Sequence, residues 1–385
     1  MLASQKNEFS LPPELTYLNC AYMSPLMKCV EEVGITALKL KSNPASISAR
    51  DFFEDTERLR KEFATLIRAS DPLRVVVIPS VSYGMGNVVR NLPLGAGENV
   101  IVAGEQFPSN YYPWHRHCED HKATLKLISS PAASQERGKE WNQRILEAID
   151  PKTRLVAVGN VHWADGTLFD LVAIRERTRE VGALLVVDGT QSVGALPFDV
   201  QKIQPDALIC AGYKWLMGPY SLGLAWYGPY FDDGVPMEEN WINRVNSEDF
   251  TGLVNFQNEY QPGSLRYEVG ERSNFTLVPM LLRALEKLNE WRPERIQEYC
   301  HAIAHDTLQE LMAAGFWVED PNYRGAHLFG IRMPETPDVG KLKQNLSDAH
   351  IHVSVRGDAV RVAPHLYNEA EDMKKLAEVL YAQVH

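Results

Sequence analysis

The stretch Leu184–Leu224, LLVVDGTQSVGALPFDVQKIQPDALICAGYKWLMGPYSLGL, decides the fold that we predict for this chain. Its first apolar run, Leu184 to Val187, is typical of a buried strand and ends at Asp188. A second apolar run, Ala207 to Cys210, ends shortly before Lys214. Ligands of open α/β sheets bind at the carboxyl ends of the strands. The sequence therefore predicts a ligand site that contains Asp188 and Lys214.

An acid and a lysine at two strand ends suit the chemistry of pyridoxal phosphate. A lysine amine forms a Schiff base with the aldehyde of this cofactor, and a carboxylate pairs with the pyridinium nitrogen so that the ring accepts electrons. Gln191 is placed to donate a hydrogen bond to the phenolic oxygen of the ring. Taken singly, Asp188 also fits a turn or helix cap, Lys214 a solvated side chain, and Gln191 a surface residue. We base the cofactor prediction on the three together.

The same stretch resembles the class V group of fold-type I pyridoxal-phosphate enzymes, which includes cysteine desulfurases, kynureninases, isopenicillin N epimerase-like proteins and some aminotransferases. The residues that carry the resemblance are Asp188, Gln191, Gly194, Pro197, Asp199, Asp206, Tyr213 and Lys214. It extends from Tyr17 to Asn368, and it implies pyridoxal 5'-phosphate as the cofactor, Lys214 and Asp188 as catalytic residues, and no metal.

Composition and charge exclude several other classes of protein. The 385 residues are 45% hydrophobic and 23% charged, as in an ordinary globular protein. A formal net charge of −11 argues against nucleic acid or an anionic membrane as the main partner. The five cysteines are scattered without CxxC spacing, which indicates neither a disulfide framework nor a zinc site. Since the N-terminus lacks an apolar signal core and no stretch reaches the ~20 apolar residues of a membrane span, we predict a soluble, cytoplasmic protein.

Apolar runs alternate with helical patterns along most of the chain, which is typical of a mostly parallel sheet covered by helices. The predicted strands of this sheet are Val75–Ile78, Asn99–Ala103, Thr124–Ile128, Leu155–Val158, Ala183–Val187, Ala207–Cys210 and Gly223–Trp226. Short strands are predicted later at Phe316–Val318, His327–Ile331, His352–Val355 and Ala359–Val362. The main helices outside the sheet region are predicted at Asp51–Arg68, Val278–Trp291, Pro293–Ala314, Asp338–Ala349 and Glu369–Val384.

These elements predict an α/β protein with the fold-type I pyridoxal-phosphate transferase fold. Its large domain contains a mostly parallel seven-stranded sheet between helices, and a smaller α/β domain follows at the C-terminus. The predicted domains are an N-terminal segment near the active site (residues 1–27), a large cofactor-binding domain (28–265) and a small domain (266–385).

A phosphate-binding site is predicted at Ser80–Tyr83, where a strand gives way to a helix. Free backbone N–H groups, the helix dipole and the Ser82 hydroxyl can hold a dianion there. The resemblance assigns the phosphate to Val81 and Ser82, although a serine at this point is also an ordinary helix cap. In the family the hydroxyl of Tyr213 reaches the same phosphate, while Ala211 replaces a serine that is often a further donor.

The resemblance also assigns contacts with the cofactor ring. Phe107 occupies the position of an aromatic side chain that stacks on the pyridine face. His162 follows a predicted strand at a position where relatives contact the ring or the substrate, and a core histidine is the alternative. Gly270 and Glu271 match a turn that often reaches the phosphate of the neighbouring subunit, which implies a homodimer with shared active sites. An ordinary surface turn is the alternative there.

Substrate-binding residues are predicted from charge and position. A forked arginine is the best partner for the carboxylate of an amino acid. In the family the position of Arg361 binds the substrate's α-carboxylate, with Arg356 nearby, although either can instead form a surface ion pair. Asn19 and Tyr22 belong to a segment, YLNCAYMSPL, that resembles the N-terminal part of the family beside the active site. On sequence alone they are turn and packing residues.

We predict an enzyme that acts on an amino acid or a related amine through the Lys214 Schiff base, with transamination favoured over elimination, C–C cleavage and epimerisation. The alternative is a C–S or C–C lyase of the selenocysteine lyase, desulfurase or kynureninase kind without a catalytic cysteine. A persulfide-forming desulfurase is disfavoured because the segment from Arg356 to Pro364 holds no cysteine. A catalytically silent pyridoxal-phosphate protein is a further alternative.

One rival prediction comes from a different class of protein. Gly84, Gly86 and Val89 imitate the dinucleotide fingerprint G-x-G-x-x-V, which would make the chain a nicotinamide-dependent oxidoreductase. The two glycines come after the predicted turn, however, and lie within the helical pattern. This position disfavours the fingerprint.

Overall fold

The structure is a computed structural model that describes residues 2–384. Its strands are β1 (Thr16–Tyr17), β2 (Val75–Ile78), β3 (Asn99–Ala103), β4 (Thr124–Ile128), β5 (Thr153–Gly159), β6 (Leu184–Asp188), β7 (Ala207–Ala211), β8 (Gly223–Tyr227), β9 (Trp317–Val318), β10 (Phe329–Arg332), β11 (Ile351–His352), β12 (Ser354–Arg356) and β13 (Ala359–Val362). Its α-helices are α1 (Lys28–Leu40), α2 (Glu54–Leu66), α3 (Val81–Arg90), α4 (Tyr112–His121), α5 (Arg137–Ala148), α6 (Leu171–Val181), α7 (Val200–Ile203), α8 (Leu277–Trp291), α9 (Pro293–Ala313), α10 (Val339–Asp348) and α11 (Ala370–Tyr381). None of the helices in the described part of the chain is long and apolar enough to cross a membrane.

Seven strands form the central sheet, in the order β2-β8-β7-β6-β5-β3-β4. The strands from β7 to β4 in this order run parallel to one another, whereas β8 is antiparallel to both of its neighbours. Every residue of β2, β3, β6, β7 and β8 is buried, as expected for strands that are covered on both faces. The predicted α/β fold with a mostly parallel seven-stranded sheet is confirmed.

Alternate residues of the central strands point into two separate hydrophobic cores. In β2, Val75 and Val77 pack into one core, to which helices α2 and α8 contribute. Val76 and Ile78 pack into the other core, which includes residues of α3 and α4. The uninterrupted apolar runs of the sequence therefore reflect burial on both faces of the sheet.

A four-stranded antiparallel sheet, in the order β12-β13-β10-β9, lies apart from the central sheet. It packs with α9, α10 and α11 around a third hydrophobic core. Leu18 belongs to this core, and β1 pairs in parallel with β11, so the beginning of the chain is attached to its last third. Helix α8 packs against α1 and α2. The domain boundaries after residues 27 and 265 stay predictions.

Two predicted elements differ from the structure for local reasons. The predicted strand His352–Val355 is wrong as a single strand, because its residues divide between β11, which pairs with β1, and β12, which joins the four-stranded sheet. The predicted helix Asp51–Arg68 is shorter, because Ala49–Phe52 forms a 3-10 turn and Arg68 adopts a left-handed φ of 57°. Both differences arise from pairing or backbone geometry that apolar periodicity does not report.

Candidate active site

A cavity of about 360 Å³ opens at the carboxyl ends of the central strands. Its walls come from the segments that follow β2, β3, β6 and β7 and from the end of β5. Parallel neighbouring strands bring these segments to one edge of the sheet. The predicted site residues that line the cavity are Val81, Ser82, Phe107, Asp188, Gln191, Tyr213 and Lys214.

Lys214 is a buried lysine in the wall of this cavity. Only 6% of the residue is exposed, and its Nζ lies 5.2 Å from the ring centre of Phe107. Burial lowers the pKa of Lys214 to about 8, against the opposing charge of Asp188 and with the help of the positive charges of Arg361 and Arg356. Lysines with lowered pKa values carry a usable fraction of neutral, nucleophilic amine near neutral pH. The cavity therefore contains an amine that loses its proton more readily than an exposed lysine does.

Asp188 supplies a buried carboxylate at the end of β6. One oxygen, Oδ1, accepts a hydrogen bond from the backbone N–H of Thr190 at 3.0 Å. Burial raises the pKa of Asp188, while hydrogen bonds from Thr190 and the charge of Lys214 oppose that change. Oδ2 accepts no hydrogen bond from residues 2–384. A cationic N–H group in the cavity would satisfy it.

Thr190 was not predicted from the sequence, yet it joins the two strand ends. Its backbone N–H binds Asp188, and its Oγ1 accepts a hydrogen bond from the backbone N–H of Ala211 at 3.1 Å. Thr190 also lines the cavity. A threonine two residues after a strand-end aspartate is too common a turn pattern to signal this role.

Gln191 is held rigidly in the cavity wall. Its Nε2 donates to the carbonyl oxygen of Ala21 at 3.1 Å, and its Oε1 accepts from Nε1 of Trp215 at 2.9 Å. One N–H of the amide remains for a ligand, because an amide nitrogen carries two hydrogens. The loop after β6 can approach Trp215 this closely because Gly194 has a φ of 108° and no side chain; a Cβ there would lie 2.1 Å from the carbonyl oxygen of Trp215.

The amino terminus of α3 forms part of the cavity wall. Ser80 caps this helix, since its Oγ accepts from the N–H of Tyr83 at 3.2 Å and lies 3.0 Å from the hydroxyl of Ser82. The first-turn N–H groups of Val81 and Ser82 have no partner within the helix. Together with the helix dipole they form a place where an anion can bind. The cap at Ser80 is therefore compatible with phosphate binding at Val81 and Ser82, which stays a prediction.

Phe107 and Trp163 form an aromatic pair in the wall of this cavity. The rings of Phe107 and Trp163 meet edge to face, with centres 5.4 Å apart and planes at 78°. Nε1 of Trp163 donates to the carbonyl oxygen of Glu105 at 2.6 Å, which fixes the indole. Trp163 lines the cavity but was not among the predicted site residues.

His162 lies outside the cavity, in contrast to the prediction that it contacts ring or substrate. Val161 and Trp163 line the cavity, so the residue between them points the other way, as alternation along an extended chain requires. The Nδ1 of His162 lies 3.1 Å from Asp165, and its ring packs edge to face on Trp141. We therefore assign His162 a structural position, and the period-2 alternation of the sequence is the signal that would have favoured Trp163.

The glycines of the dinucleotide-like pattern are helix-packing residues. Gly84 and Gly86 lie inside α3 and form no phosphate-binding turn. A Cβ on Gly84 would lie 2.8 Å from a methyl group of Ile209 on β7, which explains why glycine is needed there. The nicotinamide prediction is therefore wrong.

Arg361 on β13 is buried behind Trp163, with 1% of its surface exposed. Its Nη1 donates to the carbonyl oxygen of Trp163 at 2.8 Å, and its Nη2 lies 3.3 Å from Oγ of Ser354. The same hydroxyl donates to Oδ1 of Asn19 at 2.9 Å, so Asn19 positions the arginine through Ser354. Tyr22 is 56% exposed and does not line the cavity.

Gly270 and Glu271 do not line the cavity of their own chain. The N–H of Gly270 donates to the carboxylate of Glu238, and Glu271 adopts a left-handed φ of 55° with its side chain exposed. The following Arg272 is buried against Glu268. Any contact of Gly270 and Glu271 with a cofactor would be with that of a second subunit, which stays a prediction.

Comparisons with known proteins show the family to which this chain belongs. The family model described as Aminotransferase class-V matches residues 38–376. The uncharacterized aminotransferase YcbU of Bacillus subtilis is 25% identical over 335 residues, which cover 87% of this chain and 85% of YcbU. A probable cysteine desulfurase of Methanothermobacter thermautotrophicus is 25% identical over 345 residues, or 84% of this chain and 82% of the relative.

Among solved structures, a mutant of C-DES superposes with a TM-score of 0.83 at 19% identity, covering 98% of both chains. That structure contains glycine covalently linked to the pyridoxal-phosphate cofactor. At this identity the likeness establishes the fold.

Proposed function

As a member of the aminotransferase class-V family, this chain is a pyridoxal-phosphate-dependent enzyme, and we propose that it is an aminotransferase of amino acids in which Lys214 carries the cofactor. The observation that carries the assignment of residues is the burial of Lys214 and Asp188 in one cavity at the ends of adjacent strands. The cavity offers an amine for the aldehyde, a carboxylate with a free oxygen for the pyridinium N–H, and a helix amino terminus for the phosphate. The residues present thus fit the cofactor.

When bound, pyridoxal phosphate supplies an aldehyde that joins the substrate amine and a ring that withdraws electrons from its α-carbon. The chain's own residues supply the remaining functions. Lys214, when neutral at its Nζ, would accept the α-proton of the substrate and return it at another carbon. Asp188 holds the pyridine nitrogen protonated, since a buried carboxylate favours a nearby positive charge.

The aromatic and charged residues orient the substrate. Phe107 and Trp163 shield the reacting centre from water, because their rings form one wall of the cavity. Arg361 is the proposed partner of the α-carboxylate. Its buried Nε lacks a hydrogen-bond partner within residues 2–384, so an anion would remove an existing energetic cost.

A C–S or C–C lyase without a catalytic cysteine is the second candidate, favoured by the likeness to C-DES, a solved structure of which is described as a cystine C–S lyase. A persulfide-forming reaction is not supported. Cys20 is fully buried, and burial raises the pKa of its thiol to about 12, although the positive charge of Lys214 acts to lower it. A thiol in that state is a poor nucleophile.

The test of the proposal is a panel of amino acids added to the purified holoenzyme, with the cofactor spectrum followed and the products identified by mass spectrometry. Transamination gives the keto acid of the substrate together with the pyridoxamine form of the cofactor. Pyruvate or alanine with a released fragment identifies a lyase. An unchanged spectrum with every amino acid would contradict both candidates.

Attachment of pyridoxal phosphate to the cofactor-free protein is expected to accelerate as the pH rises toward about 8 and to level off above it. A lysine is charged below its pKa and nucleophilic above it. A free lysine reaches its maximal rate only above pH ~10.4, whereas the lowered pKa of Lys214 brings the plateau to a lower pH. Rapid-mixing absorbance measurements across this pH range give the rate. N-acetyl-lysine amide serves as control, and a protein rate still rising at pH ~10 contradicts the assignment.

We propose further that the enzyme is a cytoplasmic homodimer with shared active sites. The support for a dimer is the exposed apolar surface of the loop after β8, where Val254 is 78% and Phe256 is 94% exposed. Monomeric proteins seldom expose such side chains together. The turn at Gly270 adjoins this loop through Glu238.

The support for the cytoplasm is that the five cysteines are free thiols, as is usual in reducing compartments.

A further inference from the structure

Two arginines occupy one face of the four-stranded sheet beside the cavity. In the antiparallel register of β12 and β13, Ser354 pairs with Arg361 and Arg356 pairs with Ala359. Side chains of paired residues and of residues two apart point to the same face. Arg356 and Arg361 are therefore diagonal neighbours on that face, and such neighbours are separated by roughly 7–8 Å.

Neither of these guanidinium groups has a carboxylate partner within 4.0 Å in the described part of the chain. Asp358, the acid nearest to them in sequence, is bonded to Arg332 instead. The Nε atoms of both Arg356 and Arg361 are buried without a hydrogen-bond partner among residues 2–384. Two donors and two positive charges are thus left uncompensated next to each other.

Apart from Arg361, the fully buried arginines among residues 2–384 are neutralised by acids. Arg60 and Arg272 share the carboxylate of Glu268, and Arg137 bonds both Asp165 and Glu319. An unpaired buried charge is costly, and two like charges side by side add repulsion. Arg361 is the one fully buried arginine among residues 2–384 without an acid, and the partly buried Arg356 beside it adds a second unpaired charge. This pair therefore points to anionic groups that the described part of the chain does not supply.

Both arginines contact the indole of Trp163, which lines the cavity. The guanidinium carbon of Arg356 lies 5.6 Å from the ring centre, and that of Arg361 lies 6.0 Å from it. The indole in turn contacts Phe107, whose ring centre is 5.2 Å from Nζ of Lys214. The two charges therefore lie next to Trp163, one side chain away from the cavity.

We propose that the substrate is an amino acid with an anionic side chain, whose α-carboxylate binds Arg361 and whose side-chain carboxylate binds Arg356. This inference rests on the proposed function, because it assumes an amino-acid substrate at Lys214. One carboxylate would neutralise one guanidinium and leave the other uncompensated. A substrate with two carboxylates neutralises both, and Arg356 then selects acidic amino acids over their amides.

The test compares aspartate and glutamate with asparagine, glutamine and alanine, using kcat/KM for the holoenzyme and for single-arginine variants. The wild type is expected to prefer an acid to its amide by roughly 10- to 100-fold, the size of one charge-assisted pair. Arg356→Gln should lose most of that preference by slowing the acids alone. Arg356→Lys, which keeps the charge, should retain part of it, and Arg361→Gln should slow acids and amides alike.

Arg116→Gln on α4 is the matched control, because its side chain is 75% exposed and does not line the cavity. Its acid preference should equal that of the wild type. Calorimetric titration of the holoenzymes with glutarate and butyrate adds a readout that does not depend on turnover. Arg356→Gln should weaken glutarate binding by roughly 10- to 100-fold, the factor expected for the acid preference, and leave butyrate binding unchanged.

The outcomes separate this inference from the proposed function. If amides and alanine react as well as the acids in the wild type, or if Arg356→Gln slows all substrates equally, the assignment of Arg356 fails while the enzyme assignment stands. If no amino acid alters the cofactor spectrum, the proposed function fails. The calorimetric comparison of glutarate with butyrate then decides by itself whether Arg356 binds a second carboxylate.

Discussion

Replacing Lys214 by alanine is expected to lower kcat with amino acids by about 10⁴-fold and to remove the covalent link to the cofactor. The lysine is proposed both to hold the cofactor and to move the α-proton, so a single truncation removes two functions. Borohydride reduction followed by peptide mass spectrometry measures the link directly. The wild type should carry the reduced cofactor on Lys214, and the variant should carry none.

Two controls distinguish this result from loss of the fold. Lys202→Ala removes an exposed lysine from the same stretch of sequence, and its turnover and adduct should match those of the wild type. The circular dichroism spectrum of Lys214→Ala should also be unchanged, because the amine forms no salt bridge with residues 2–384 and its burial disfavours the charged form. Turnover within tenfold of the wild type, or an adduct on another lysine, would overturn the assignment.

Replacing Glu268 by alanine is expected to reduce the free energy of unfolding by about 3–5 kcal/mol. Glu268 is completely buried and accepts hydrogen bonds from Arg60 at 2.6 Å, from the N–H of Val77 at 3.1 Å and from Arg272. Its removal leaves two buried guanidinium groups without a counter-charge. Urea unfolding of the holoenzyme, followed by circular dichroism, gives the change.

Glu286→Ala is the matched control for this prediction. Glu286 contacts Arg58 and Arg283 on the surface, where such pairs contribute only ~0–1 kcal/mol. If Glu268→Ala destabilises the protein no more than Glu286→Ala, the buried cluster does not stabilise the fold as proposed.

The same cluster predicts a pH dependence. Burial acts to raise the pKa of Glu268, but the charges of Arg272 and Arg60 outweigh it and hold the pKa below its usual value. Because the pKa of Glu268 is lower in the folded state, its carboxylate stabilises the fold fully at pH values above the pKa of the unfolded state, near ~4.3. This stabilisation is lost as the pH falls through the lower pKa of the folded state. The difference in stability between wild type and Glu268→Ala should therefore be constant near neutral pH and shrink below about pH 4.

A second buried network explains why His162 is structural. Arg137 donates to Asp165 at 2.6 Å and to Glu319 at 3.0 Å, and Arg332 of the four-stranded sheet also reaches Asp165. Burial would raise the pKa of Asp165, but His162, Arg137 and Arg332 together hold it far below its usual value. These residues are distant in sequence, so the network joins the segment after β5 to the four-stranded sheet and is invisible to local patterns.

The sequence by itself determined the central sheet and the two residues on which the proposed chemistry depends. Continuous apolar runs, in which polar residues do not alternate with apolar ones, require strands that are buried on both faces. An acid and a lysine at the ends of two such strands must meet at one edge of a parallel sheet. Only the tertiary structure decided that Trp163 and not His162 faces the cavity, and that Arg60 is neutralised by Glu268 while Arg356 and Arg361 have no acid among the described residues. The physical reason is that burial periodicity is a local property of the chain, whereas the partner of a charge is set by packing between segments that can lie hundreds of residues apart.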